Sequence, residues 1–139
     1  MTIVADQLGG AVSSAQNELF SLGCHCTAGL NYDTGALNGT KRAVTAAKVF
    51  VVTSVSFWVV SAGTRITIGY GDASKDNAAT APAGWTVVCK FITNDGAYKL
   101  QTFPCHFYIP AGKYPTMLAD DGVSFAILHG YEYTGSVPT

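Results

Sequence analysis

From Val44 onward, apolar and polar residues alternate with a period of two, which is the pattern that half-buried β-strands produce. The longest alternating run, residues 49–60, reads VFVVTSVSFWVV and predicts one long strand. One face of this strand is expected to be the core face, and it carries Val49, Val51, Thr53, Val55, Phe57 and Val59. The opposite face is polar in its middle and apolar at both ends, and it carries Phe50, Val52, Ser54, Ser56, Trp58 and Val60. These apolar ends predict that something else covers the second face.

Shorter alternating segments follow, and turn residues separate them. A strand is expected over residues 85–93, after a polar loop. The sequence Asn-Asp-Gly at 94–96 then predicts a hairpin onto a strand over 98–109, because these residue types tolerate positive φ angles. Pro104 within that strand predicts an edge position or a bulge, since proline donates no hydrogen bond to a neighbouring strand. A last strand is expected over residues 123–133.

These short strands, spaced by turns and accompanied by no convincing helical pattern, predict an all-β domain over residues 44–139. We expect a β-sandwich or jelly roll of about seven or eight antiparallel strands. Residues 1–43 differ, because they are rich in glycine and show poor apolar periodicity. They predict a mostly irregular N-terminal arm that does not support its own fold and becomes ordered on another subunit.

Charged residues make up 12% of the chain, whereas a soluble domain usually has about 25%. The net charge is −1, so a basic surface for nucleic acid is not expected. The most apolar run, from Val49 to Ala62, is 14 residues long, which is short of the roughly 20 that a membrane-spanning helix needs. The first ten residues, MTIVADQLGG, do not read as a secretory signal, so synthesis in the cytoplasm is expected.

A small β-protein with so few charges is expected to bury part of its outer surface against other subunits. The candidate interface residues are apolar residues of the arm and of the non-core face of the long strand. They are Leu19, Phe20, Leu22, Phe50 and Trp58. The sequence therefore predicts a homo-oligomer.

Five potential metal ligands occur in two clusters, Cys24-His25-Cys26 and Cys105-His106. On strands, neighbouring residues point to opposite faces, so neither cluster has the spacing that wraps a zinc ion. Cys89 and Cys105 lie in phase with apolar neighbours and are expected to be buried, reduced thiols. The loop that begins at Asp72 lacks the glycine and the last glutamate of an EF-hand. No metal or cofactor is expected.

The chain contains no nucleophile elbow, no phosphate loop and only two glutamates, so an enzyme is not expected. Aromatic residues leave a different alternative open, a module that binds carbohydrate or a cell surface by stacking rings on its ligand. The candidate rings for that alternative are Trp85, Tyr70, Tyr98, Tyr108, Tyr114, Tyr131 and Tyr133.

Four segments of the chain carry a resemblance to known proteins: VFVVTSVSFWVV, APAGWTVV, FYIPAGKYPT and SFAILHGYEY. They resemble the small jelly-roll or β-sandwich domains of tailed-bacteriophage virion proteins, capsid decoration (cement) proteins in particular. The resemblance implies a structural virion protein, made in the host cytoplasm, that binds the outside of the major capsid protein lattice. It also implies a homotrimer with a terminal arm on the shell. Tail and baseplate components are similar in style and are the alternative location.

Overall fold

The structure is a computed structural model that describes residues 18–26, 31–37, 40–41, 43–93, 99–120 and 123–138. Side chains are described for 31–35, 43–93, 99–120 and 123–138. Within these ranges the chain forms strands and no helix. The strands are β1 (Glu18–Cys26), β2 (Asn31–Thr34), β3 (Ala36–Leu37), β4 (Thr40–Lys41), β5 (Lys48–Val59), β6 (Arg65–Gly71), β7 (Thr86–Ile92), β8 (Gln101–Ile109), β9 (Tyr114–Ala119) and β10 (Ser124–Thr134).

Eight of these strands form two antiparallel four-stranded sheets. Sheet I has the order β1-β10-β5-β8 and sheet II has the order β2-β9-β6-β7, while β3 and β4 form a separate pair. Among these eight strands, β6 and β7 are the one pair of successive strands that lie in the same sheet, and every other connection crosses to the facing sheet, which is the strand order of a jelly roll. The predicted all-β sandwich is therefore confirmed.

The predicted hairpin at residues 94–96 is wrong. In the described part of the chain, β7 pairs only with β6 and β8 pairs only with β5, so the two strands belong to different sheets. A turn composition shows where a strand ends, but it does not show whether the next strand pairs beside it or crosses to the facing sheet. Residues 94–98 themselves lie outside the described residues.

The segment predicted to be an arm contributes strands to both sheets. β1 pairs along its whole length with β10, and β2 pairs with β9. Residues 18–26 and 31–34 thus lie in the sandwich, whereas residues 1–17 lie outside the described residues. The apolar periodicity of this glycine-rich segment is too weak to predict either strand.

A bulge in β5 interrupts the strict alternation that the sequence predicts. The two faces are exchanged before the bulge and lie as predicted after it. Ser54 lies opposite His129, but Val52 lies opposite the next residue, Gly130, so Thr53 is an extra residue and is exposed. Before the bulge, the core-facing residues of β5 are therefore Phe50 and Val52, and after it they are Val55, Phe57 and Val59. The prediction that Phe50 lies on the non-core face is wrong for this reason.

A second bulge changes the phase of β7. Cys89 lies opposite Ile68, whereas Val87 lies opposite the next residue, Gly69, so Val88 has no direct partner. Cys89 packs against the core, but Val87 is 44% exposed, although the sequence places these two residues on one face. Pro104 is predicted to lie at an edge or a bulge, and the structure shows both, because β8 is the outermost described strand of sheet I and its register against β5 shifts between Pro104 and Phe107.

A buried carboxylate joins β10 to the segment that leads into β5. Glu132 is 1% exposed, and its two oxygens accept hydrogen bonds from the backbone N–H and the hydroxyl of Thr45, each at 2.9 Å. Both oxygens of the buried group are thereby satisfied, which offsets part of the cost of removing it from water.

The outer edge of β2 is occupied by the loop of residues 72–84. Tyr32 and Ala78 exchange two backbone hydrogen bonds, and the N–H of Thr34 donates to the carbonyl of Lys75. The side chain of Asp33 accepts a further hydrogen bond from the backbone N–H of Asn77 at 3.1 Å. The loop thus pairs with the outer backbone edge of β2 at Tyr32 and Thr34.

Candidate interface on the open side of the sandwich

The edge strands of the two sheets lie along two sides of the sandwich. The two sides differ in whether further strands contact those edges. On one side, β1 lies against β2, β3 and β9. On the other side, the edges are β8 of sheet I and β7 of sheet II, and no described strand lies beyond either of them. We call this second side, comprising β7, β8 and the residues 99–100 that lead into β8, the open side.

The core reaches the surface on the open side through three phenylalanine rings. The ring centroid of Phe57 lies 5.5 Å from those of Phe91 and Phe103, and the last two are 5.4 Å apart. Phe57 is fully buried, Phe91 is half-buried and Phe103 is 39% exposed. The exposure of these three rings thus increases from the centre of the core to the surface. On the open side, solvent therefore reaches the edge of the apolar core.

The large hydrophobic side chains that are exposed in the described part of the chain all belong to the open side. They are Val87 (44%), Ile92 (62%), Leu100 (61%) and Phe103 (39%). Single exposed apolar residues are ordinary on protein surfaces, but their concentration on one side of a domain favours an interaction site there. Of the residue types Asp, Glu, Lys and Arg, β7 and β8 contain only Lys90.

Two free thiols lie at the inner rim of the open side. Cys89 and Cys105 are both half-buried and pack against the core, in agreement with the prediction of reduced, core-facing cysteines. Burial, with a smaller contribution from the neighbouring Cys105, raises the pKa of Cys89 from 9.0 to about 12. Burial also raises the pKa of Cys105. Thiols of this kind are poor nucleophiles, since the thiolate is the reactive form.

We expect Cys89 to react slowly with iodoacetamide at pH 8 in the folded protein. A pKa of about 12 instead of 9.0 lowers the thiolate fraction about thousandfold, so the rate should still rise with pH beyond pH 9. Mass spectrometry of the labelled peptide measures this rate, with the chain in denaturant as the reference. Equal rates in the folded and unfolded chains would contradict the prediction.

The raised pKa of Cys89 also makes the stability of the folded domain depend on pH. Above pH 9, the unfolded chain loses the thiol proton more readily than the folded chain does. The contribution of neutral Cys89 to stability is thus complete below pH 9 and decreases as the pH rises towards about 12.

Of the five interface residues that the sequence predicts, the structure places Phe50 and Trp58 on opposite faces of sheet I. Leu19, Phe20 and Leu22 lie on β1, opposite Tyr131, Gly130 and Leu128 of β10, and their side chains lie outside the described residues. Phe50 belongs to the core. Trp58 is half-buried on the outer face of sheet I, where its ring stacks on Phe125 at a centroid distance of 5.7 Å. Phe50 and Trp58 therefore lie on opposite faces.

Sequence reasoning missed the open side, although the sequence contains two signals for it. The segment TVVCKFI carries apolar residues on both of its faces, which is unusual for a strand at the surface of a sandwich. Pro104 also marked the following strand as an edge. The two signals point to an interface only when β7 and β8 are known to be edges of facing sheets.

The other candidate sites are engaged in contacts within the chain. Asp72 forms an ion pair with Lys113 at 2.5 Å. No group of three or more His, Cys, Asp or Glu side chains that could hold a metal ion occurs among the described residues, and the side chains of Cys24, His25 and Cys26 are not among them. Ser56 bonds to Thr102 at 2.9 Å and to His129 at 3.2 Å, which joins three neighbouring strands.

The aromatic residues proposed for ligand stacking are partly used in packing. The ring of Trp85 meets Tyr32 edge-on at a centroid distance of 5.3 Å, and it lies so close to Gly69 that a side chain there would contact it. Five of the tyrosines are half-buried, namely Tyr70, Tyr108, Tyr114, Tyr131 and Tyr133, and Tyr98 lies outside the described residues.

The described residues contain no helix that is long and apolar enough to cross a membrane. No protein-family model matches the chain, and the comparison with curated proteins found no significant match.

Proposed function

We propose that this chain is a non-enzymatic structural protein that self-associates through its open side and decorates the outside of a capsid shell. One observation carries the proposal: the exposed large hydrophobic side chains of the described residues are all concentrated on β7, β8 and the residue before β8. Exposed apolar side chains that are gathered on one side of a domain are typical of a surface that binds another protein.

The small free energy of each apolar contact favours an assembly in which the same contact is repeated many times. Completing the burial of one half-exposed Val, Leu, Ile or Phe side chain contributes on the order of 1 kcal/mol. A few such contacts barely offset the several kcal/mol that association costs in lost translational and rotational freedom. Contacts repeated by symmetry on a lattice act together, so modest individual contacts become sufficient.

The capsid location is proposed from the sequence resemblance and the composition. The jelly-roll strand order is found in viral capsid domains, and it is found in lectin domains as well, so the fold alone does not decide between them. The segments that resemble decoration proteins and the low fraction of charged residues favour the virion.

Size-exclusion chromatography with light scattering tests self-association. We expect a mass above that of the 14.5 kDa chain, and we expect Leu100→Ser to shift the population towards monomer, since Leu100 is 61% exposed and its removal should not disturb the core. Ala73→Ser, at an exposed residue of the loop 72–84, is the control. A wild-type monomer at every concentration would remove the proposal.

Electron microscopy tests the capsid location. A small folded tag fused after Thr139 should appear as density repeated regularly over the outside of intact particles. Tag density confined to a tail would place the chain in that part of the virion. Particles without any tag density would contradict a virion role.

A further inference from the structure

We propose that Cys89 and Cys105 form a disulfide between the two sheets when the protein is exposed to a disulfide oxidant such as glutathione disulfide. The bond joins β7 to β8 and is a redox-sensitive cross-link, absent in a reducing compartment and present in an oxidising one. This inference goes beyond the proposed function and does not depend on self-association.

Both thiol side chains point into the space between the sheets. Cys89 lies opposite Ile68 of β6, whose side chain is fully buried, and directly opposed residues of two paired strands share a face. The Sγ atom of Cys105 lies 3.9 Å from the carbonyl oxygen of Val52, a core residue of β5. The two free thiols therefore pack against the same apolar core from opposite sheets.

The contact between Phe91 and Phe103 places the two cysteines at one level of the sandwich. The ring centroids of this pair are 5.4 Å apart, so β7 meets β8 at these residues. The chain passes from the end of β7 to the start of β8, so a step back along β7 and a step forward along β8 both lead away from the connection. Two residues along each strand, on the same face, these steps reach Cys89 and Cys105. The two thiols are therefore neighbours across the sheets.

The irregularities of the two strands leave this placement intact. The bulge at Val88 precedes Cys89, so residues 89–91 alternate regularly. The register of β8 shifts between Pro104 and Phe107, yet Cys105 and Phe107 both pack against the core. Cys105 also contributes to the raised pKa of Cys89, in agreement with a short distance between the thiols. A disulfide can span two facing sheets, as it does in immunoglobulin sandwiches.

Thiol–disulfide exchange forms the bond in two steps. Cys105, whose neighbours Pro104 and His106 are exposed, loses its proton and attacks one sulfur of glutathione disulfide, which gives a mixed disulfide and releases one glutathione. Cys89 then loses its proton, attacks the sulfur of Cys105 and releases the second glutathione. Two protein thiols are oxidised to one disulfide, and one glutathione disulfide is reduced to two glutathione molecules. Because burial disfavours both thiolates, the exchange is slow in the folded protein.

The bond ties together the two edge strands of the open side. β7 and β8 belong to different sheets, and among the described strands each pairs with a single neighbour. The cross-link also closes a loop of about 15 residues, which constrains the unfolded chain. We expect it to lower the equilibrium constant of unfolding about tenfold or more.

Refolding in a glutathione redox buffer, followed by peptide mapping, tests the pairing. The full chain is unfolded in urea, diluted into a mixture of reduced and oxidised glutathione, and digested with trypsin without reduction. We expect the tryptic peptides 76–90 and 100–113 to be joined, with the loss of two hydrogen atoms, and to separate on reduction. Every thiol is accessible at the start of refolding, so slow access in the folded state does not limit the result. Free thiols, mixed disulfides with glutathione, or pairs that involve Cys24 or Cys26 as the main product would overturn the proposal.

Two variants are the matched controls. Cys89→Ala leaves Cys105 without its partner, so we expect a stable mixed disulfide of glutathione at Cys105 and no joined peptides. The double variant Cys24→Ala/Cys26→Ala removes the other two thiols and should retain the joined peptides. Its urea midpoint should be higher in the oxidised form than in the reduced form. Equal midpoints would show that the native fold does not favour the bond, and they would overturn the proposal.

Discussion

Replacing Gly130 with alanine should strongly destabilise the domain, and more than the same replacement at Gly112. Gly130 lies on β10 opposite Val52, beside the bulge at Thr53. A Cβ atom there would overlap the carbonyl oxygen of Val51 and lie 2.8 Å from its carbonyl carbon. These are backbone atoms in the middle of a sheet, so they move only if the pairing of β5 and β10 changes.

We expect Gly130→Ala to lower the free energy of unfolding by about 3 kcal/mol or more, which is a large share of the roughly 5–15 kcal/mol available to a domain. Urea denaturation followed by tryptophan fluorescence measures this loss. Gly112→Ala is the matched control, because Gly112 has a positive φ of 78° but open space around the added methyl group. Its cost should be about 1 kcal/mol, for backbone strain alone. Similar costs for the two variants would contradict the register described for β5 and β10.

Replacing Phe50 with alanine should cost about 3–5 kcal/mol of stability, because the substitution leaves a cavity in the core. Phe50 is fully buried and belongs to the cluster between the two sheets. Strict alternation along β5 predicts instead that Phe50 lies on an interface face, where the substitution would change assembly and spare the monomer. The experiment therefore decides between the two faces.

Phe125→Ala is the matched control for Phe50→Ala. Phe125 is half-buried on the outer face of sheet I, stacked on Trp58, so its truncation leaves no closed cavity. We expect it to cost about 1–2 kcal/mol. Thermal or urea unfolding of both variants under conditions where the protein is monomeric gives the comparison. A Phe50→Ala variant that is as stable as Phe125→Ala would contradict the assigned faces.

The bulges explain why the fold class could be predicted but the faces could not. The period of two and the turn residues are local properties, and they predicted β-strands from Val44 onward. An extra residue at Thr53 or Val88 is defined only against a neighbouring strand, because it is a mismatch between two strands. Phe50 and Val87 were assigned to the wrong faces for this reason.

The sequence by itself determined that the domain is all-β and that Cys89 and Cys105 face the core, and it narrowed Pro104 to an edge or a bulge, because each follows from local residue types and alternation. The tertiary structure alone decided which strands are neighbours. Strand pairing depends on backbone hydrogen bonds between segments that are far apart in the sequence. The pattern of side chains does not show which segments these are. Only the placement of β7 and β8 at facing edges brings Val87, Ile92, Leu100 and Phe103 together on one open side.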